Sequence, residues 1–233
     1  FIRYCVRSHI FCDMKILPLI YRRQTSVVNK KAATFGVITL ITYLIPENSE
    51  IELSVSARDF MIDWGDGVCD KNMIHTYTRK GEYVIRICGE CINELRVPKC
   101  CLENIDVSFC KWLEHLDCSF NWIEELDISG LSYLVSLDCS HNALNNLKIG
   151  NQEFLLYLDS SDNMLSVLDV SLCSSLTYLY TQHNALRSLK TSPAISVLDI
   201  GDNQLSPEDM ADLKKRSGIR YICLLYTSPS PRD

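Results

Sequence analysis

Between Ile92 and Leu205 the apolar residues return in one short pattern. Leu116-Asp117-Cys118-Ser119-Phe120-Asn121-Trp122-Ile123 sets it. It recurs as Leu137-Asp138-Cys139-Ser140-His141-Asn142-Ala143-Leu144, as Leu158-Asp159-Ser160-Ser161-Asp162-Asn163-Met164-Leu165 and as Leu179-Tyr180-Thr181-Gln182-His183-Asn184-Ala185-Leu186. The last copy is Leu198-Asp199-Ile200-Gly201-Asp202-Asn203-Gln204-Leu205. One step earlier, Leu95-Arg96-Val97 leads to Cys100 where Asn is expected, and then to Leu102. The anchor leucines at 95, 116, 137, 158, 179 and 198 give a period of 21 with a final step of 19. Each unit but the last carries a second apolar hook: Ile105-Asp106-Val107, Leu126-Asp127-Ile128, Leu147-Lys148-Ile149, Leu168-Asp169-Val170 and Leu189-Lys190-Thr191.

This spacing is that of the leucine-rich repeat. It predicts a solenoid in which each repeat makes one turn, with a short parallel strand on one side and an irregular convex side. A short strand carries Leu116 and Cys118 inward, the chain turns at Asn121, and Ile123, Leu126 and Ile128 follow inward. No single coil buries its own apolar edge, so stability is a sum of units and nearest-neighbour interfaces. Each buried Leu or Ile contributes roughly 1.5–3 kcal/mol. Asn121, Asn142, Asn163, Asn184 and Asn203 are expected to form a ladder, their amides bonding backbone groups that the turn leaves unpaired. After the array, Ser206 and Pro207 read as the N-cap and first position of a short helix with acids before bases. Gly218 ends it, and the helix is placed to cover the end of the core.

Residues 34–90 carry a different pattern. Val37–Leu40, Ile51–Val55, Phe60–Trp64 and Tyr83–Ile87 read as strands, separated by turn signals at Pro46-Glu47-Asn48, Gly65-Asp66-Gly67 and Lys80-Gly81. Trp64-Gly65-Asp66-Gly67, His75-Thr76-Tyr77 and Gly81-Glu82-Tyr83-Val84-Ile85 resemble the motifs of the polycystic-kidney-disease (PKD) domain, an immunoglobulin-like sandwich. The resemblance implies that Trp64 packs the core and that Asp66 shapes the turn. A calcium site at Asp63, Asp66 and Asp70 is the alternative to that structural turn. Cys88-Gly89-Glu90-Cys91 marks the junction. With Cys100 and Cys101 it leaves three readings open: unpaired thiols, a disulfide or redox pair, and a zinc site. The expected organisation is thus a segment over 1–33, an all-β unit over 34–90, a repeat domain over 91–222, and a tail over 223–233.

The tail reads as a translation of a sequencing-library adapter and is set aside from fold reasoning. The chain begins at Phe1, with Met14 as a candidate initiator, and so reads as a metagenomic fragment. Residues 1–33 hold seven Lys or Arg against one Asp, a net of +6; with a total of −6, the rest of the chain carries −12. An acidic body argues against a nucleic-acid partner, which asks for a basic face. No apolar run is long enough to span a membrane. The run from Phe35 to Ile45 suits a strand better than a signal peptide, because it carries threonines and lacks a small-residue cleavage site. Of the 12 cysteines, Cys118 and Cys139 fall at the inward slot that Val97 and Ile200 fill in other units. They are expected to be small buried hydrophobes.

No catalytic constellation stands out: there is no G-x-S-x-G, H-E-x-x-H or phosphate-binding glycine loop. No cofactor is expected. His141 and His183 share a turn position two coils apart and are read as exposed, without a bridging metal. The informative surface is the strand face opposite the core. Alternation places Glu94, Arg96, His115, Asp117, Ser119, Ser136, Asp138, Ser140, Tyr157, Asp159, Ser161, Tyr178, Tyr180, Gln182, Val197, Asp199 and Gly201 on it. Asp117, Asp138, Asp159 and Asp199 form an acidic stripe beside Tyr157, Tyr178 and Tyr180. These seven are the candidate partner-binding residues.

The repeats resemble bacterial leucine-rich repeats of the internalin type with a cysteine at the third apolar slot. Together with a PKD-like module, that resemblance implies a non-enzymatic recognition or adhesion module, outside the cell or on its surface. It also implies a protein or glycan ligand on the concave face. Two other expectations stand beside it: an accessory module of a secreted enzyme, and an intracellular scaffold or effector with reduced thiols.

Overall fold

A computed structural model describes residues 35–43, 45–215 and 218–223. The basic segment 1–33, with Met14, lies outside the described residues, as do residues 224–233 of the adapter-like tail.

The anchor leucines become the centres of three-residue strands. β8 (Glu94–Arg96), β10 (His115–Asp117), β12 (Ser136–Asp138), β14 (Tyr157–Asp159), β16 (Tyr178–Tyr180), β18 (Val197–Asp199) and β19 (Tyr221–Cys223) lie side by side in parallel. Leu95, Leu116, Leu137, Leu158, Leu179, Leu198 and Ile222 are aligned in register across them. One residue in each strand points into the core and its two neighbours point away, as strand alternation requires. Cys223, the first residue of the tail segment, pairs with Asp199.

The second hooks form back strands. β9 (Leu102–Asp106), β11 (Glu125–Asp127), β13 (Asn146–Lys148), β15 (Val167–Asp169) and β17 (Ser188–Lys190) carry them, with β11 paired to β13 and β15 to β17. Between front and back sit Cys118, Cys139, Ile123, Leu144, Leu165, Leu131, Leu134, Leu155 and Leu176, all fully buried. The chain is a leucine-rich-repeat solenoid. Helix α1 (Pro207–Lys215) buries Met210 and Leu213, and β19 follows it to add one more strand to the front sheet, so the array does not end at the helix. Its first turn is fixed by Ser206, whose Oγ accepts the Asp209 amide at 3.1 Å and donates to the Asp209 carboxylate at 2.7 Å.

The turn after each front strand differs from the sequence expectation in one respect. The turning residue is the one before the asparagine. Lys99, Phe120, His141, Asp162, His183 and Asp202 all take positive φ, between 49° and 58°. Side chains with a Cβ adopt this left-handed conformation at a cost of about 1–2 kcal/mol each, which the coil offsets through its hydrogen bonds.

Residues 35–90 supply β1 (Phe35–Thr42), β2 (Ser49–Glu52), β3 (Ser54–Ser56), β4 (Asp59–Asp63), β5 (Cys69–Asp70), β6 (Ile74–Tyr77) and β7 (Val84–Glu90). Two of these strands join the repeats directly. β3 runs antiparallel to β8 and so closes the front sheet. β1 pairs with β9, making the first back strand the edge of a sheet ordered β5-β4-β7-β1-β9. One continuous core runs from Ile38 to Leu213. Within it Trp64 is fully buried, its Nε1 donating to Asp70 at 3.1 Å. His75 stacks on Trp64 and Tyr77 stacks on Tyr83. Gly65 has φ +81°, and a Cβ there would stand 2.7 Å from the Val84 carbonyl oxygen, so this turn requires glycine.

The candidate calcium carboxylates are engaged within the protein. Asp63 accepts the Gly65 amide, Asp66 accepts the Val68 amide and contacts His75 at 2.8 Å, and Asp70 accepts Trp64 Nε1 and the Asn72 amide. Cys88, Cys91, Cys100 and Cys101 are all free thiols. Cys100 occupies the asparagine slot and reproduces part of its bonding. Its single S–H is shared between the Pro98 carbonyl at 3.4 Å and the Glu52 carbonyl at 3.3 Å, tying the first coil to the end of β2.

Candidate functional site: the concave sheet face

The front sheet exposes the flanking residues of each strand. Asp117, Asp138 and Asp159 occupy the same position on β10, β12 and β14 and are direct neighbours across the sheet. Tyr180 follows Asp159 in that column, and Asp199 follows Tyr180. The companion column holds Tyr157 beside Tyr178. The rings of Tyr157 and Tyr180 lie 5.7 Å apart, tilted by 45°. Tyr157 Oη donates to Asp159 Oδ2 over 3.4 Å. The seven sequence-derived candidates therefore share one face.

Four residues assigned to that face do not belong on it. Ser119, Ser140 and Ser161 are only 5%, 5% and 3% exposed. The strand ends after three residues, alternation stops there, and each serine folds under its aspartate. Its amide and its Oγ both donate to Oδ1 of the aspartate two residues earlier, at 3.0 and 2.6–2.7 Å. Gly201 is buried as well, and its amide donates to Asp199 Oδ1 at 3.1 Å. Each aspartate thus uses Oδ1 as a turn brace, and Oδ2 faces outward, where that of Asp159 also accepts the Tyr157 hydroxyl.

The five asparagines sit behind this face. Oδ1 of Asn121, Asn142, Asn163, Asn184 and Asn203 accepts the amide of Leu102, Ile123, Leu144, Leu165 and Leu186 in the preceding coil, at 2.9–3.0 Å. Nδ2 donates back to the carbonyls of Val97, Cys118, Cys139, Ser160 and Thr181, also one coil earlier. These side chains stitch coil to coil and hold the strands of the face in register.

Electrostatics separate this face from the rest of the surface. On the back strands the column Asp127, Lys148, Asp169, Lys190 alternates in sign, with contacts of 3.5 Å for Asp127–Lys148 and 3.0 Å for Asp169–Lys190. At the turn, His183 lies between Asp162 at 3.1 Å and Asp202 at 3.0 Å, and His141 lies 3.6 Å from Asp162. Phe120 stacks on His141, and Lys99 sits 5.1 Å over Phe120. The sequence signal for both columns was present at one repeat's spacing, as alternating Asp and Lys on the back strands and as alternating His and Asp at the turn. On the concave face, by contrast, three carboxylates adjoin. Among the described residues none of Asp117, Asp138, Asp159 and Asp199 has an ion-pair partner. Arg96, the single Arg or Lys in the eight strands of this sheet, is held by Glu94 at 2.6 Å. Burial, then the repulsion of Asp159 and Asp117, raises the Asp138 carboxyl above its ordinary value against the pull of Ser140. Burial and the same carboxylate field raise the Tyr157 phenol.

No group of three or more His, Cys, Asp or Glu among the described residues is arranged to hold a metal ion. No described helix is long and apolar enough to cross a membrane. The chain is thus a repeat solenoid with one acidic, tyrosine-bearing sheet face. No family of known proteins and no curated protein matches it. Among solved structures it is similar to the functional domain of InlJ from Listeria monocytogenes, described as including a cysteine ladder, with 25% identity and a TM-score of 0.46. The match covers 51% of this chain and 31% of that one, so the chain spans about a third of that structure's length.

Proposed function

We propose that this chain is a non-enzymatic recognition module that binds a protein partner on its concave face, as part of a bacterial surface or secreted protein. The observation that carries the reading is the uncompensated column of Asp117, Asp138 and Asp159 beside Tyr157, Tyr178 and Tyr180. Adjacent like charges on neighbouring strands destabilise a sheet, and this chain pairs its charges on the back-strand column. Tyrosine supplies rigid amphipathic contact area of the kind that dominates interfaces. A PKD-like β unit at the N-terminal side is part of this proposal, supported by the buried Trp64 and the Gly65–Gly67 turn.

A second reading, an intracellular scaffold, draws on the ten described cysteines, all of which are free, since unpaired thiols are the rule in reducing compartments. Alkylation of thiols in intact cells with a membrane-impermeant reagent separates the two locations, because only surface protein is labelled at the exposed Cys69.

The recognition reading is tested by selecting ligands from a protein display library and mapping them by chemical cross-linking. Cross-links concentrated on the front strands β10, β12, β14, β16 and β18 are expected. Cross-links confined to the back strands would overturn the concave-face assignment.

A further inference from the structure

Resting on the concave-face reading, we infer that the occupant of this face is an arginine-bearing segment of a protein partner, with a guanidinium seated against the Tyr157–Tyr180 pair and the carboxylates of Asp138 and Asp159. Four features point to this chemistry.

The charge on the face is negative, and its one Arg or Lys, Arg96 beside Asp117, is held by Glu94, so an incoming cation at Asp138 and Asp159 completes a pattern that the back-strand column completes with Lys148 and Lys190. The aspartates already spend Oδ1 on the Ser140 and Ser161 turns. Their Oδ2 atoms stand one strand apart as fixed acceptors, and that of Asp159, which takes the Tyr157 hydroxyl at 3.4 Å, has a second lone pair for a donor. Neighbouring strands stand about 4.8 Å apart, a span that one planar group with several donors bridges. The two tyrosine rings, 5.7 Å apart and tilted by 45°, add aromatic faces, which attract cations. Arginine meets all of these at once, because its guanidinium stacks on aromatic rings and donates in a planar fork to carboxylates, whereas the lysine ammonium is a strongly hydrated point charge.

The same inventory disfavours other occupants. A glycan asks for donors and acceptors in comparable number, and this part of the face offers acceptors, with the Tyr157 hydroxyl turned to Asp159. An anionic partner would add to the repulsion already acting within the column.

The test uses the whole chain and a defined probe: a short peptide of alternating arginine and glycine, with a counterpart in which citrulline replaces arginine. Citrulline keeps the planar shape and loses the charge. Binding is followed by NMR of the tyrosine rings and by fluorescence polarisation. The arginine peptide is expected to bind saturably, to move the Tyr157 and Tyr180 signals, and to bind about tenfold tighter than the citrulline peptide, the scale of one cation–π or charge-assisted contact. Asp138→Asn with Asp159→Asn is expected to lose about tenfold, as is Tyr157→Ala with Tyr180→Ala. The Asn pair keeps the turn acceptor, so a melting temperature at or above that of the parent chain verifies its fold. Asp127→Asn, on a back strand, is expected to leave binding unchanged. Equal binding of the citrulline peptide, or equal losses from Asp127→Asn and the concave pair, would overturn the inference. Library-selected ligands test the underlying concave-face reading separately. Ligands that lack arginine and respond to the tyrosine variants but not to the aspartate pair end the arginine assignment and leave the concave face standing. Ligands indifferent to both sets end both.

Discussion

Asn163 holds Leu144 across the gap between two coils: its Oδ1 accepts the Leu144 amide at 2.9 Å while its Nδ2 donates to the Cys139 carbonyl at 3.0 Å. Both groups belong to the preceding coil, and the asparagine itself is buried. Asn163→Ala leaves the buried Leu144 amide unpaired, while the Cys139 carbonyl keeps Asn142 Nδ2 at 3.2 Å. A loss of about 1–3 kcal/mol is expected in urea unfolding. A loss below about 0.5 kcal/mol would show that water replaces the amide at this site.

Lys99 tests the left-handed turn. It is exposed and has φ +58°. Lys99→Gly is expected to hold or raise the unfolding midpoint, because glycine adopts this conformation without the Cβ penalty. Lys99→Val is expected to lower stability by about 1–2 kcal/mol, since a branched side chain fits it worst. Equal midpoints for the two variants would contradict the turn geometry.

Two aspartates are expected to respond to acid in opposite directions. The hydroxyl of Ser171, then Lys190, holds the Asp169 carboxyl down to about 2, from an ordinary value of 3.8. Its depressed value means stability that is present above about 3.8 and lost as the pH falls toward 2. Asp138 is shifted upward, so its ionised form is disfavoured in the fold and that cost is relieved as the pH falls. Asp169→Asn is therefore expected to flatten the acid limb of the stability–pH curve. Asp138→Asn is expected to raise stability at neutral pH. Chemical unfolding across the acid range checks both signs.

The thiols divide by burial. Desolvation pushes Cys100 and Cys110 up to about 12 and Cys88 to about 11, and it raises Cys118 and Cys139 too. A protonated, enclosed thiol is a poor nucleophile. Titration of the native protein with a thiol reagent is expected to modify the exposed Cys69 first and the core cysteines only on unfolding. Fast modification of Cys118 or Cys139 in the native state would contradict their place in the core.

Much of the architecture was legible because its period is long and strict. A leucine every 21 residues fixes which residues lie side by side in the front sheet, and the cap chemistry at Ser206 and Pro207 marks helix α1. What escaped the sequence has definite physical causes. Phe120, His141, Asp162 and His183 share a backbone conformation but no side-chain chemistry, so nothing in their identities announces a left-handed turn. Ser119, Ser140 and Ser161 were assigned outward because period-two alternation was carried past the end of a three-residue strand. The pairing of β3 with β8 and of β1 with β9 is long-range, and no local pattern encodes it. For the candidate site, alternation suffices to put Asp117, Asp138, Asp159 and the tyrosines on one face. Their lack of counterions becomes visible only when the neutralised back-strand column, Asp127 to Lys190, is set beside them in space.

A rival surface exists on the convex side. Trp112, Tyr133 and Phe154 are exposed and stacked in succession, with ring centroids 4.9 and 6.1 Å apart. The most direct measurement is therefore the dissociation constant of a selected protein ligand for two triple variants. One is Tyr157→Ala, Tyr178→Ala, Tyr180→Ala, and the other is Trp112→Ala, Tyr133→Ala, Phe154→Ala. Recognition by the concave face requires the first to weaken binding at least about tenfold, the loss of one strong interface contact, and the second to leave it unchanged. The reverse pattern, loss on the convex side and none on the concave, would contradict it.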